Sequence, residues 1–250
     1  MTLVEICLED IEGAFTAETY GADRIELCAG LAEGGITPGI GTVMIVLAGV
    51  QRIGVRVLIR PRGGDFVYSR FELDAMCADI RAIRDLGSKD SVTVGFVLGA
   101  LTPQGTVDHR AVERLLAACG GAEVTFHKAF DVTPDIVATL EALAALGVCR
   151  VLTSGGRSTA REGTSVLARL VEQAAGRIEI LAGGGVRPGN VAELVARTGV
   201  REVHLRAPVD LPSRARFCNP ELDYDRGVRT VTSGVLVKDV VRAAHGLVVQ

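Results

Sequence analysis

Two short runs hold the residues best equipped for chemistry, Leu3-Val4-Glu5-Ile6-Cys7 and Arg24-Ile25-Glu26-Leu27-Cys28. Each sets a carboxylate and a thiol two positions apart inside an apolar strand rhythm. Side chains alternate along a strand, so Glu5 and Cys7 share one face, as do Glu26 and Cys28. Val4, Ile6, Ile25 and Leu27 then face a hydrophobic layer on the other side. Neighbouring strands lie about 4.8 Å apart, close enough for two thiols to share one ion, and soft thiolates select Cu(I). The paired carboxylates, by contrast, are the equipment of general acid–base catalysis.

Such residues need a frame that turns them toward one another. Eight strand-like runs are legible, at about 3–8, 24–28, 55–60, 92–98, 123–127, 150–153, 178–182 and 202–205, with segments long enough for a helix between them. Strands alternating with helices give a parallel sheet, and eight of them close an α/β (β/α)8 TIM barrel. The chain reads as one such domain over 1–250, with a long polar loop at about 207–232 and a final helix opened by Ser233. Helix ends are marked in several places. Thr37-Pro38 and Thr133-Pro134 read as a capping hydroxyl before a first-turn proline, and Ser69 precedes an amphipathic segment. Gly87 and Gly147 sit where helices should stop.

In a TIM barrel the chemistry lies at the carboxyl ends of the strands. Strand parity sends Glu5, Cys7, Glu26, Cys28, Arg60, Thr125, His127 and His204 inward near that end, and leaves strands four, six and seven undecided. Buried ion pairs are poor stabilisers, so this set reads as a site rather than as mere structure. Arg60 and Arg62 offer planar two-point forks for a carboxylate or phosphate. The glycine turns Ser154-Gly155-Gly156 and Gly183-Gly184-Gly185 place backbone amides where an anion can be cradled. Cys77, Cys119 and Cys149 read as core thiols.

Composition narrows the classes. The apolar fraction is 48% with 4% aromatic residues and no Trp, which predicts an aliphatic core. A net charge of −3 gives no electrostatic case for nucleic acid or anionic lipid. No run approaches the roughly 18–20 apolar residues that span a bilayer, and no secretory signal is visible. Six cysteines without a CxxC pair fit free thiols in a reducing, cytoplasmic setting.

Longer motifs carry a family resemblance. Arg24-Ile-Glu-Leu-Cys-Ala-Gly-Leu31 with Glu33-Gly-Gly-Ile-Thr-Pro38, then Ile59-Arg-Pro-Arg-Gly-Gly-Asp-Phe66, resemble the CutC family of copper homeostasis proteins. So do Thr125-Phe-His-Lys-Ala-Phe-Asp131, Val151-Leu-Thr-Ser-Gly-Gly156 and Ala182-Gly-Gly-Gly-Val186. The resemblance implies a TIM barrel, a cytoplasmic location, homo-oligomers (dimers or tetramers) and a copper-binding role in which Cys7 and Cys28 stand where the family's thiols stand. Three features depart from the pattern. Lys128 replaces an arginine, Val67 stands where several members have cysteine, and Leu205-Arg206 replace small residues after His204.

Two readings from different classes follow. In the first, Cys7 and Cys28 hold Cu(I) as part of copper homeostasis. In the second, the barrel is an isomerase, epimerase or lyase for a small phosphorylated or carboxylated metabolite. Glu5 or Glu26 would then be the base, His127 the acid, and Arg60, Arg62, Ser154, Gly155, Gly184, Gly185 and His204 the substrate-binding set.

Overall fold

The computed structural model describes residues 1–222 and 227–246. Eight parallel strands close into a barrel: β1 (Leu3–Leu8), β2 (Arg24–Leu27), β3 (Gly54–Leu58), β4 (Val94–Leu98), β5 (Val124–Phe126), β6 (Arg150–Thr153), β7 (Glu179–Gly183) and β8 (Glu202–Arg206). They are paired in chain order, and β8 returns to β1. Helices α1 (Ile11–Thr19), α2 (Ile40–Gly49), α3 (Arg70–Asp85), α4 (His109–Cys119), α5 (Ile136–Ala145), α6 (Thr164–Ala174) and α7 (Val191–Thr198) follow β1 to β7 in turn. After β8 come β9 (Pro208–Pro212), β10 (Val228–Thr232) and α8 (Gly234–His245). No helix among the described residues is long and apolar enough to cross a membrane.

The alternation expected of the strands is realised. Val4, Ile6, Ile25, Leu27, Val55, Val57 and Ile59 are fully buried in the layer between barrel and helices. The inner side is unusual near the amino-terminal end of the barrel, where aliphatic filling gives way to buried ions. Arg24 bridges Glu5 and, at 2.5 Å, Glu202, which also takes Arg150 at 2.5 Å. Arg56 pairs with Glu123 nearby. Room for these long side chains comes from glycine. A Cβ on Gly95 would stand 2.9 Å from the Arg56 side chain and 2.6 Å from the Glu123 carbonyl, closer than packing allows.

Several local expectations are corrected. Thr37 caps no helix; its hydroxyl accepts the Arg60 N–H at 2.9 Å and ties the loop after β2 to β3. The cap of α5 is Asp135, whose carboxylate accepts from Val137 and Ala138, while Thr133 donates back to Phe130 at 2.8 Å. In both places the proline lies outside the helix, so the hydroxyl before it serves the loop. The segment 207–232 is not simply a loop. β9 and β10 form an antiparallel ribbon, with Val209 opposite Val231 and Asp210 opposite Thr230, anchored where Asp10 accepts from Thr232. Cys149 is exposed rather than a core thiol, because Val148 beside it takes the buried position before β6. Ser69 and Ser233 cap α3 and α8 as their spacing predicts.

Candidate functional site

At the carboxyl ends of the strands a cavity of about 320 Å³ opens between the loops. Its floor is set by register. Cys7 pairs with Glu26 across β1 and β2, and Glu5 pairs with His204 across β1 and β8, so period-two alternation stacks thiol, carboxylate and imidazole on one inner face. The ligand atoms of Cys7, Glu26 and His204 lie within 4.8 Å of one another. Cys28 joins them, with its sulfur 3.7 Å from that of Cys7 and its thiol donating to the Leu8 carbonyl at 3.2 Å. Leu58, Val97 and Leu31 enclose both sulfurs in apolar surface.

His204 is oriented from below. Its Nδ1 meets Glu5 at 2.7 Å and its Nε2 faces Glu26 at 3.6 Å. Burial alone would raise the Glu5 carboxyl, but Arg24 and His204 hold it well below the usual carboxylate range. Burial opposes charge on His204 as well. Its contacts with Cys7 and Glu5 and the charge of Glu26 prevail, and keep the imidazole protonated well above its ordinary range. Glu26 is pushed up by burial. The Cys7 thiol is held up by its bond to Cys28 and by burial, so it stays protonated at neutral pH.

The residues expected to grip an anion divide sharply. Arg60 lies at the cavity wall, yet Nη1 donates to the carbonyls of Gly35 at 2.9 Å and Glu33 at 3.3 Å, and Nη2 to Gly64 at 2.8 Å. The tight glycine turns leave carbonyls that need donors, and the fork is used on them rather than left for a ligand. Arg62 lies outside the cavity lining, bonded to Glu72 at 2.6 Å and Asp65 at 3.1 Å. Ser154 and Gly155 are outside it too. Their turn is already filled by the Asp131 carboxylate, which accepts from the amides of Ser154 at 3.0 Å and Gly156 at 2.8 Å and pairs with Lys128 at 2.7 Å. Burial works against that charge, but Lys128 and the surrounding donors keep the Asp131 carboxyl low. Gly184 and Gly185, in contrast, line the cavity beside His204.

Of the three residues picked out for acid–base work, Glu5, Glu26 and His127, two are held in one protonation state, whereas burial raises Glu26. Glu5 is locked as an anion between Arg24 and His204. His127 lines the cavity, but its Nδ1 accepts from the Ala129 amide at 3.2 Å, and burial, with the Arg60 charge, drives its pKa down to about 3. It is a neutral donor through Nε2, packed against Phe66 with ring centres 4.8 Å apart and the planes tilted by 47°.

Sequence reasoning passed over Arg24, Arg150 and Glu202, which hold Glu5 and through it His204. The parity that assigns His204 inward also assigns Glu202, and that of Glu26 assigns Arg24. Arg187, on the loop after β7, was also passed over; it lines the cavity together with Lys128 and Arg206.

Comparison with known proteins finds a match to the CutC family over residues 2–209. A CutC family protein of Mesorhizobium japonicum is 46% identical over 250 residues, covering 98% of this chain and 95% of its own. A Homo sapiens protein named copper homeostasis protein cutC homolog is 43% identical, covering 96% of this chain and 86% of its own. The crystal structure of a CutC protein from Streptococcus agalactiae superposes with a TM-score of 0.75 at 39% identity, covering 82% of this chain and 98% of that one.

Proposed function

The chain belongs to the CutC family, and from that premise we propose that it serves copper homeostasis by holding Cu(I) at the thiols of Cys7 and Cys28. The observation that carries this reading is the 3.7 Å separation of the two sulfurs on the cavity floor. Metal–sulfur bonds of about 2.3 Å, the length known for zinc, span at most about 4.6 Å between two sulfurs, so these can share one ion without backbone movement. Thiolate softness favours Cu(I) over the hard cations that a carboxylate site would select.

The neighbours fit that cargo. Two thiols that lose their protons to a monovalent ion leave one net negative charge, and the protonated His204 beside Cys7 offsets it. Glu5 holds the imidazole in place, and Arg24 holds Glu5. Because Cys7 keeps its proton at neutral pH, copper competes with protons there, and affinity should rise with pH. Free cysteines support the cytoplasm as the compartment. The exposed apolar face of α2, with Ile40, Met44 and Ile45, supports a homo-oligomer, dimer or tetramer. Light scattering on the eluted protein tests that part.

Anaerobic titration with Cu(I) against a competing chelator tests the central reading. The wild type should bind one tight equivalent that the Cys7→Ser, Cys28→Ser variant lacks. Equal stoichiometry and affinity in the two proteins would remove copper from this site.

A further inference from the structure

The two thiols account for the floor of the cavity and leave its walls unexplained. Four permanent cations line it, Arg60, Lys128, Arg187 and Arg206, against a single carboxylate, Glu26. Lys128 is neutralised by Asp131, and Arg60 braces backbone carbonyls without meeting a carboxylate. Among the described residues the Arg187 guanidinium donates only to the carbonyl of Val186, and the Arg206 side chain has no ion-pair or hydrogen-bond partner. Cations left unpaired at the mouth of a half-enclosed cavity repel one another, and a copper dithiolate, whose single negative charge His204 offsets on the floor, leaves that repulsion in place.

Unused donors point to the same cavity. The amides of Gly184 and Gly185 donate to no acceptor among the described residues, and both glycines have left-handed backbone that any side chain would strain. The Nε2 of His127 and the Nε of Arg60 are buried polar atoms without a hydrogen-bond partner, on side chains more than nine-tenths buried. Since His127 Nδ1 accepts from Ala129, Nε2 carries the proton and is a donor. Buried donors without partners are costly, and in native proteins they call for an acceptor. The cavity also has apolar walls, Leu58, Phe66 and Leu152 among them, and at about 320 Å³ it is far larger than an inorganic ion.

We propose that the barrel mouth binds a small phosphorylated metabolite above the thiols, with the phosphoryl group on the Gly184–Gly185 amides, Arg187 and Arg206, and the organic body reaching the His127 Nε2–H. The turn after the seventh strand of a TIM barrel is a common phosphate seat, because backbone amides there point across the mouth. The assignment moves the anion grip away from Ser154–Gly155, whose turn Asp131 occupies, to the turn whose amides are open. It does not depend on the copper reading, since no sulfur takes part in it.

The test is calorimetry at fixed ionic strength with inorganic phosphate, a panel of three- to seven-carbon sugar phosphates, and the matching unphosphorylated sugars. At least one sugar phosphate should bind with a sub-millimolar Kd and at least tenfold more tightly than inorganic phosphate, and its unphosphorylated counterpart should not bind. Arg206→Met and Arg187→Met should each weaken it tenfold or more at unchanged melting temperature. His127→Asn should weaken the sugar phosphate but leave inorganic phosphate unaffected. Cys7→Ser, Cys28→Ser should retain full sugar-phosphate affinity, which separates this outcome from any failure of copper binding. If no phosphorylated compound binds below 1 mM, or if binding survives loss of both arginines, the proposal is overturned. Equal affinity for inorganic phosphate and for every sugar phosphate would also overturn it, by showing a surface ion site instead of a metabolite site.

Discussion

Replacing Arg24 with methionine should expose how much of the fold's stability rests on holding His204 in place. Arg24 is 3% exposed and lies between Glu5 and Glu202, both almost wholly inside the barrel. The shorter methionine side chain would fill much of the volume but leave two buried carboxylates short of one cation. Removing one partner of a buried pair costs about 3–5 kcal/mol, because the remaining charge is left without compensation. Glu202 keeps two bonds to Arg150, at 2.5 and 3.0 Å, and Glu5 keeps His204 at 2.7 Å, so the low end, about 3 kcal/mol, applies. For a chain of this size each kcal/mol shifts Tm by roughly 2–4 °C, which gives a fall of about 6–12 °C in thermal unfolding followed by circular dichroism. Adding Glu5→Gln to Arg24→Met should recover part of the loss, since the stranded charge is then gone. The half-buried Arg62, treated the same way, should cost less than about 1 kcal/mol. A Tm for Arg24→Met within about 2 °C of wild type, or strict additivity with Glu5→Gln, would refute the reasoning.

Two further perturbations probe the walls of the cavity. His127 has a folded pKa of about 3 against an ordinary 6.5, so the unfolded chain binds a proton that the folded one refuses as pH falls through that window. Denaturant melts should therefore show the wild type losing about 2 kcal/mol more than His127→Asn between pH 6.5 and 4.5, the slope rising toward about 1.36 kcal/mol per pH unit as the unfolded imidazole fills with protons, whereas parallel pH profiles would contradict the assignment. Asp131→Asn removes the charge that the Ser154 and Gly156 amides and Lys128 all face, and should cost about 1.5–3 kcal/mol in chemical denaturation. No loss would mean that the turn after β6 holds its shape without an anion.

Much of the frame was legible because it rests on two periodicities and a count. Eight strand-like runs with helical spacers leave few topologies, and parity along β1, β2, β5 and β8 placed the inward residues as the structure has them. Parity was applied, however, only to polar residues near the carboxyl ends of the strands. Arg24 and Glu202 obey it equally and were passed over for lying deeper, where ions are seldom stacked in a core. Whether a side chain is free is not legible at all. Arg60, Arg62 and Ser154 have the right types for anion binding, yet beside Gly64 and Asp65 of the same motif their partners come from 33–35, from Glu72 and from Asp131, which their own motifs do not announce. The ribbon of β9 and β10 escaped for a related reason. Prolines at both ends of β9 disguise it, as suits an edge strand that needs few amide donors, and its partner begins sixteen residues after it ends. Arg187 sits on a loop, where no parity applies.

X-ray absorption at the copper edge, on protein loaded anaerobically with one equivalent of Cu(I), examines the central claim most directly. Sulfur scatterers at about 2.3 Å, lost in the Cys7→Ser, Cys28→Ser variant, are the predicted result. A first shell of nitrogen and oxygen alone, or the same spectrum from both proteins, would contradict it.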